Sequence, residues 1–144
     1  MEGTIIDEAW IFAEQSVYLW LSKEANYNLK YFLWLLNSKF MTFFFQSFLI
    51  TNPLAYPYIQ HYDLEKLPIP QIDFLNPQQK QQHDQLVNLV DQMLATQKQY
   101  HQALSEWDKT LYQQKIDILD KKIDNLVFDL YELSEEDRNV VLNG

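Results

Sequence analysis

A chain of 144 residues with 47% hydrophobic content is long enough for one ordinary domain with its own core. Its two glycines, Gly3 and Gly144, stand at the ends, which excludes an interior phosphate loop, dinucleotide fingerprint or S-adenosylmethionine loop built on glycine. The absence of cysteine excludes a disulfide framework and thiolate metal sites, and we expect a cytoplasmic location. A net charge of −9 counts against independent DNA binding, which normally needs a basic face.

Two short strands are predicted near the start of the chain, at residues 9–14 and 16–23. Both runs are rich in aromatic, β-branched and aliphatic residues, which suit a pleated sheet, and the polar pair Glu14-Gln15 separates them. The residues before them lack the basic region and following apolar region of a signal peptide. We therefore expect a small β-hairpin and no secretory leader.

A single helix is predicted over residues 29–48, where leucine and phenylalanine recur at helical spacing. The run from residue 31 to 50 is long enough to span a membrane, but Lys39 near its centre would cost about 2.5–3.5 kcal/mol there. A core helix covered on more than one side is therefore expected, with no membrane span. Residues 51–62 contain two prolines and are predicted to form a loop, with a short strand at 58–62 as an option.

An extended exit and two long helices are predicted after this loop. A single turn over residues 64–67 leads to Pro68 and Pro70, which hold the chain extended because the residue before a proline avoids the helical region. Asn76-Pro77 then marks a helix start, since a capping residue precedes proline at the first position. Two heptad seams follow. They consist of Leu86, Val90, Met93, Gln97, Tyr100, Leu104, Trp107 and Leu111, and of Tyr112, Ile116, Leu119, Ile123, Leu126, Leu130 and Leu133.

The two seams differ in phase by one residue, so one straight helix cannot keep both on the same face. We expect a break within residues 103–110 and antiparallel packing of the two long helices. Ser134 and the acids after it begin a short last helix. The predicted fold class is α+β and mainly helical. A small N-terminal β-hairpin packs on an aromatic helix, followed by a long antiparallel helical hairpin and a short C-terminal helix.

Three segments, in this order, resemble one known family. The first is Leu36-Asn37-Ser38-Lys39-Phe40, and the second is Leu67-Pro68-Ile69-Pro70-Gln71-Ile72. The third runs from Ile123 to Asp137 and reads Ile-Asp-Asn-Leu-Val-Phe-Asp-Leu-Tyr-Glu-Leu-Ser-Glu-Glu-Asp. Together they resemble the C-terminal specificity, or target-recognition, domain of Type IIG restriction–modification enzymes and related adenine-specific DNA methyltransferases. The resemblance covers nearly the whole chain and extends, more distantly, to Type I specificity subunits.

The resemblance implies a non-catalytic DNA sequence-recognition module that works with a methyltransferase or nuclease body. Residues 1–74 would form a partial target-recognition lobe, and residues 75–144 a helical hairpin for docking or self-association. The implied partners are double-stranded DNA in the context of the parent enzyme and a methyltransferase/endonuclease domain or subunit, with a homodimer through the hairpin as an option. One position departs from the family, because Glu132 replaces a glycine that ends the preceding helix in a left-handed turn.

Catalytic and metal-binding patterns are weak in this sequence. Asn52-Pro53-Leu54-Ala55 shares only its first two residues with the Asn-Pro-Pro-aromatic loop that holds a flipped adenine. The carboxylates and lysine within residues 63–66 fit a capped turn better than a nuclease centre. The histidines lack ligand spacing, and His83 and His101 are expected to face solvent. We therefore expect no enzyme activity, metal or cofactor for the chain alone.

Nucleic-acid contact is assigned to the loop and to one lysine. Asparagine and glutamine can pair with adenine edges, tyrosine can stack or contact phosphate, and lysine pairs with phosphate. The predicted DNA-binding residues are Lys39, Asn52, Tyr58, Gln60 and His61. In the alternative, Lys39 only extends from the core helix to solvent, and the tyrosines fill the edge of the core. A function of another class also stays open, namely a free-standing helical interaction protein that self-associates or binds a protein partner without DNA.

Overall fold

The computed structural model describes residues 27–49 and 61–143, and every regular element in these ranges is helical. The α-helices are α1 (Leu29–Asn37), α2 (Lys39–Phe44), α3 (His61–Leu64), α4 (Pro77–Gln102), α5 (Glu106–Leu130) and α6 (Glu135–Asn143), and a π-helical segment covers Phe45–Leu49. Among these described helices, none combines the length and the apolar character needed to cross a membrane.

The predicted α+β class is wrong, although its mainly helical part is confirmed, because residues 27–49 and 61–143 contain no strand or sheet. A small N-terminal β-hairpin is therefore not supported, and the strands predicted at 9–14 and 16–23 lie outside the described residues. The optional strand at 58–62 is wrong where it is described, since α3 begins there. Aromatic and β-branched content predicts strands poorly because it mainly reports packing on a half-buried surface.

The single helix predicted over residues 29–48 is interrupted at Ser38, whose extended backbone (φ −67°, ψ 155°) ends α1 and begins α2. The Ser38 hydroxyl donates to the carbonyl of Leu35 at 2.8 Å and accepts from the amide of Met41 at 3.2 Å. Serine competes with the helical backbone for hydrogen bonds in this way. The apolar periodicity continues through the break, which is why the pattern predicts one helix.

Local capping sets the starts of the two long helices. The Asn76 side chain accepts from the amides of Gln78 and Gln79, and Pro77 occupies the first turn, as the sequence predicts. The Ser105 hydroxyl accepts from the amide of Asp108 at the start of α5. Since only residues 103–105 separate α4 from α5, the second helix returns along the first, and the two pack against each other.

One hydrophobic core joins α1 to the long helices. Tyr31 and Leu35 of α1 are fully buried beside Leu86 of α4 and Val127 of α5. The other buried members of this core are Ile72, Met93, Ile116, Leu119 and Ile123. Both halves of the chain contribute to it, and the division at residue 74 stays a prediction.

The first predicted seam packs only in part. Leu86 and Met93 are buried, but Leu104 is 99% exposed, and Trp107 and Leu111 are also exposed. The helix break at residues 103–105 explains the difference, because α5 begins with a new phase and direction. The seam residues after the break therefore turn away from α4.

His83 is buried, although its polar neighbours in sequence predict that it faces solvent. The centroid of its ring lies 5.2 Å from that of Tyr31 and 5.1 Å from that of Phe74. Its Nδ1 is 3.0 Å from a carboxylate oxygen of Asp84. The imidazole therefore belongs to the aromatic packing between α1 and α4, whereas His101 is exposed as predicted.

Candidate functional site: the joint between the sequence motifs

The three sequence motifs that resemble a specificity domain meet in space. Ser38 and Lys39 stand at the start of α2, Pro68 lies in the extended exit, and Asp124 and Tyr131 lie in and just after the last turns of α5. Together these five residues are termed the joint. Contacts within it connect parts of the chain that are 63 and 85 positions apart in sequence.

Asp124 connects α5 to the start of α2. Its Oδ1 accepts a hydrogen bond from the backbone amide of Lys39 at 3.1 Å, and its Oδ2 lies 3.5 Å from Lys39 Nζ. The first amides of a helix have no partner within the helix, so a side-chain oxygen that accepts from them stabilises its start. Two side chains thus cap α2. Ser38, the residue directly before the helix, accepts from the amide of Met41, and Asp124 of α5 accepts from the amide of Lys39.

Burial dominates the electrostatics of Asp124. Desolvation raises the pKa of this carboxyl above its ordinary value of 3.8, and the nearby Asp120 adds to the increase, while the amide and ammonium of Lys39 act in the opposite direction. Only the lysine side of the pair is open to solvent, since Asp124 is buried and the Lys39 side chain is 48% exposed. Removing the Lys39 side chain would therefore leave a poorly solvated carboxyl group behind.

Tyr131 connects α5 to both other motifs. Its hydroxyl donates to the carbonyl of Pro68 at 2.6 Å, and its ring packs on Phe40 with 4.2 Å between the centroids. Burial raises the pKa of the Tyr131 hydroxyl well above its ordinary value, so the group remains a donor at all physiological pH values. Tyr31 makes a similar bond from α1, donating to the carbonyl of Pro70 at 3.2 Å. Two tyrosines therefore satisfy carbonyls of an extended segment that has no helical hydrogen bonds of its own.

Glu132 ends α5 in the left-handed conformation that the family glycine would adopt. Its φ is 53°, and no other non-glycine residue in the described ranges has a positive φ. The amide of Leu133 donates to the carbonyl of Phe128, and the amide of Glu132 donates to that of Asp129. This pair of bonds is the Schellman helix ending, which favours glycine at the left-handed position. The turn geometry expected from the family is thus present, with a side chain where glycine would fit better.

The surface beside the joint is an open, shallow groove. Its lining residues are Pro68, Ile69, Pro70, Leu130, Tyr131 and Glu132. Within residues 27–49 and 61–143, no group of three or more histidine, cysteine, aspartate or glutamate side chains is arranged to hold a metal ion. The joint therefore has the properties of a structural connection with an accessible apolar edge.

The structure describes only part of the predicted DNA-binding set. Lys39 is the first residue of α2 and is held beside Asp124. Asn52, Tyr58 and Gln60 lie outside the described residues, and His61 is described only as the first residue of α3. The assignment of these five residues to DNA contact stays a prediction.

Sequence reasoning missed the roles of Asp124, in α5, and of Tyr131, which directly follows α5. Asp124 follows the seam residue Ile123 and precedes Val127 by three positions, so it lies at the border of the apolar face. A single carboxylate at such a position predicts a buried hydrogen bond or ion pair, because acidic side chains are rarely buried without a partner. Tyr131 gives no comparable signal, since a half-buried tyrosine at a helix end is common in any core.

Comparison with known families covers the first motif and the first three residues of the second. Residues 3–69 match the TaqI-like C-terminal specificity domain. The match covers slightly less than half of the chain and confirms the resemblance to a C-terminal specificity domain over those residues. Domains of that family are DNA-recognition modules of restriction–modification systems and are generally non-catalytic. The specificity-domain match includes Ser38, Lys39 and Pro68, whereas Asp124 and Tyr131 lie beyond its end. No curated protein and no solved structure gives a significant match.

Proposed function

We propose that this chain recognises a DNA sequence on behalf of a methyltransferase or nuclease body in a Type IIG-like restriction–modification system. The specificity-domain match over residues 3–69 supports the recognition role. The observation that carries the proposal is the joint, because its bonds connect the matched segment to α5, which lies outside the match. The chain would act without cofactor, in the cytoplasm.

The joint anchors the chain on both sides of the predicted recognition loop. Lys39 precedes the loop and is bonded to Asp124, and Pro68 follows it and is bonded to Tyr131. A loop whose two ends are fixed on a rigid body loses less conformational entropy on binding. Anchoring of this kind suits a segment that must present side chains to base edges in a defined register.

Base and phosphate contacts are proposed for different residues of the matched segment. Glutamine and asparagine side chains, Gln60 and Asn52, would pair with adenine edges in the major groove. Tyr58, His61 and Lys39 would contact phosphate or stack on bases. Lys39 would do so while its backbone amide remains bonded to Asp124, since its side chain is half exposed.

Most of the affinity for DNA would come from the parent enzyme. The net charge of −9 disfavours approach to the phosphate backbone, which supplies most of the binding free energy of a self-sufficient DNA-binding protein. The helices α4 and α5 would dock the recognition segment on a methyltransferase body with a basic face. The chain would then contribute sequence choice, and the body would contribute attraction to phosphate.

The test is a gel shift at low salt with a duplex that carries the recognition site, with and without the cognate methyltransferase. We expect a shifted complex that requires both proteins. Gln60→Ala and His61→Ala should weaken it, while Glu136→Ala and Asn139→Ala, which change exposed residues of α6 outside the docking helices, should leave it unchanged. Unchanged binding with both loop variants would remove the assigned contacts. A complex that forms equally well without this chain would overturn the proposed function.

A further inference from the structure

The ion pair between Lys39 and Asp124 has one exposed partner and one buried partner. The Lys39 side chain is 48% exposed, whereas the Asp124 side chain is 7% exposed. The two charged groups lie 3.5 Å apart, and Oδ2 of Asp124 accepts no hydrogen bond in the described part of the chain. The lysine side chain can therefore leave this loose pair for solvent or a ligand, while the carboxylate remains buried.

Asp124 keeps its position whether or not the lysine side chain is beside it. Its Oδ1 accepts from the backbone amide of Lys39 at 3.1 Å, and Asp124 itself belongs to the uninterrupted helix α5. This bond uses the main chain at the start of α2, so it does not depend on the direction of Lys39 Nζ. Departure of Nζ would thus leave a fixed, buried carboxylate without its counter-ion.

Lys39 is the counter-ion of Asp124 among the described charged groups. Burial raises the pKa of the Asp124 carboxyl, Asp120 adds to the increase, and the groups of Lys39 oppose both. Other titratable groups on the helices packed around α2 and α5 pair with one another. These pairs are Asp84 with Lys80 and His83, Asp91 with Lys30, and Asp129 with Arg138.

A DNA phosphate at Lys39 would change the charge balance at Asp124. This step rests on the proposed function, in which the Lys39 side chain contacts phosphate. A phosphate oxygen that accepts from Nζ replaces the carboxylate as the ion-pair partner and brings a negative charge close to it. Both effects favour the neutral carboxyl, since a buried charge without a partner is costly.

We propose that Asp124 takes up a proton from solvent when the Lys39 side chain moves from the carboxylate to a DNA phosphate, so that DNA binding tightens as pH falls. The sign follows from linkage, because a group that holds its proton more tightly in the complex favours the complex at lower pH. The tightening begins as pH falls through the pKa of Asp124 in the complex. It is complete below the pKa in the free protein, which is itself raised above 3.8.

The carboxylate also competes with DNA for the lysine at neutral pH. Asp124→Asn removes both the competitor and the titrating group, while its side-chain oxygen can still accept from the Lys39 amide. The variant should bind DNA more tightly than the wild type at pH 8, by up to about fivefold, the factor associated with a partly exposed ion pair. A role of Asp124 in anchoring alone predicts the opposite, because an altered anchor would weaken binding.

Fluorescence anisotropy of a labelled duplex measures this difference from pH 8 to pH 5. The chain is assayed in complex with its cognate methyltransferase, in a buffer without phosphate, on a site that the complex selects from random sequences. The gap between Asp124→Asn and the wild type should shrink as pH falls. Other titrating groups, His61 and those of the methyltransferase included, are common to both proteins and largely cancel in the ratio. A ratio that is constant with pH, or weaker binding by Asp124→Asn at pH 8, would overturn the proposal.

Two further variants identify the cause of the gain. Glu136→Gln removes the same charge from an exposed position of α6 and should bind DNA with nearly the wild-type affinity and pH dependence. In a Lys39→Gln background, Asp124→Asn should have little further effect, because no lysine then connects the carboxylate to phosphate. An equal gain in Glu136→Gln, or a full gain from Asp124→Asn without the lysine, would overturn the proposal.

Failure of the proposed function would be recognised separately. If the methyltransferase selects and binds its site equally well without this chain, the recognition role is wrong, and the proton uptake is overturned with it. If binding requires the chain but the ratio between wild type and Asp124→Asn does not change with pH, the proton uptake alone is overturned.

Discussion

The joint and the outer face of α5 reverse the usual relation between polarity and burial. The joint buries a serine and an aspartate, whereas the outer face of α5 exposes Trp107, Leu111 and Ile118. Ser38 and Asp124 can be buried because their polar atoms have partners across the fold. Trp107 is exposed because the break before α5 turns it away from α4. Partners and helix direction therefore decide burial here more than residue type does.

The sharpest contrast comes from two leucines of the same predicted seam. Leu86, on the core side of α4, is fully buried, whereas Leu104 is almost fully exposed. Leu86→Ala should lower the free energy of unfolding by about 3 kcal/mol, because it removes buried methylene groups and leaves a cavity. Leu104→Ala should change it by less than about 0.5 kcal/mol. Urea denaturation measures the free energy of unfolding of both variants. Equal losses of stability would contradict the difference in burial between the two leucines.

The hydrogen bond of Tyr131 is the next largest expected effect. Tyr131→Phe should cost about 1 kcal/mol, because it leaves the carbonyl of Pro68 without its donor while the ring still packs on Phe40. Tyr112→Phe, a half-buried tyrosine of α5, is the matched control and should cost less than about 0.5 kcal/mol. Similar thermal stability of the two variants would show that the Tyr131 bond contributes little to the joint.

The left-handed turn after α5 predicts a substitution that stabilises. Glu132→Gly should raise the free energy of unfolding by about 0.5–1 kcal/mol, because glycine adopts a positive φ without steric cost. Glu136→Gly, the same substitution within α6, should lower it by about the same amount. Equilibrium unfolding of both variants measures the signs, and a loss of stability in Glu132→Gly would contradict the backbone geometry.

The smallest effect is the pH dependence carried by Asp124. Because its pKa is raised in the folded protein, the folded state holds the proton more tightly than the unfolded state. The resulting stabilisation is complete below the ordinary pKa of 3.8 and is lost as pH rises through the folded pKa. Asp124→Asn keeps an acceptor for the Lys39 amide but does not titrate.

The wild type should therefore lose stability relative to Asp124→Asn as pH rises from below 4 to 7. Denaturant midpoints of both proteins across this pH range measure the difference in stability. Other titrating groups are the same in both proteins, so their contributions largely cancel. A wild type that gains stability relative to the variant over the same range would show that the Lys39 pair outweighs desolvation.

Local signals in the sequence predict part of this fold correctly. The caps at Asn76 and Ser134 and the proline after Asn76 involve residues within three positions of each other, so the sequence alone contains the hydrogen-bond partners. The apolar seam of α5 likewise predicts its buried face, because Ile116, Leu119 and Ile123 belong to one uninterrupted helix.

Contacts between distant segments are less accessible from the sequence. Lys39 and Asp124 are 85 positions apart, and nothing near either residue identifies the other as its partner. His83 is another case, since its glutamine neighbours are polar while its own face of α4 meets Tyr31. The apolar spacing continues across Ser38, so it does not predict the break there. A serine side chain can nevertheless cap a helix when its backbone is extended, as it is at this position.

The anchoring role of Asp124 is tested most directly by amide hydrogen exchange followed by NMR. In Asp124→Leu, the amide of Lys39 loses its acceptor, so we expect it and the rest of the first turn of α2 to exchange faster than in the wild type. Amides in the middle of α4, such as that of Val90, should keep their protection and show that the core remains folded. Unchanged exchange at Lys39 in a folded Asp124→Leu variant would contradict the claim that α5 anchors the segment that matches the specificity domain.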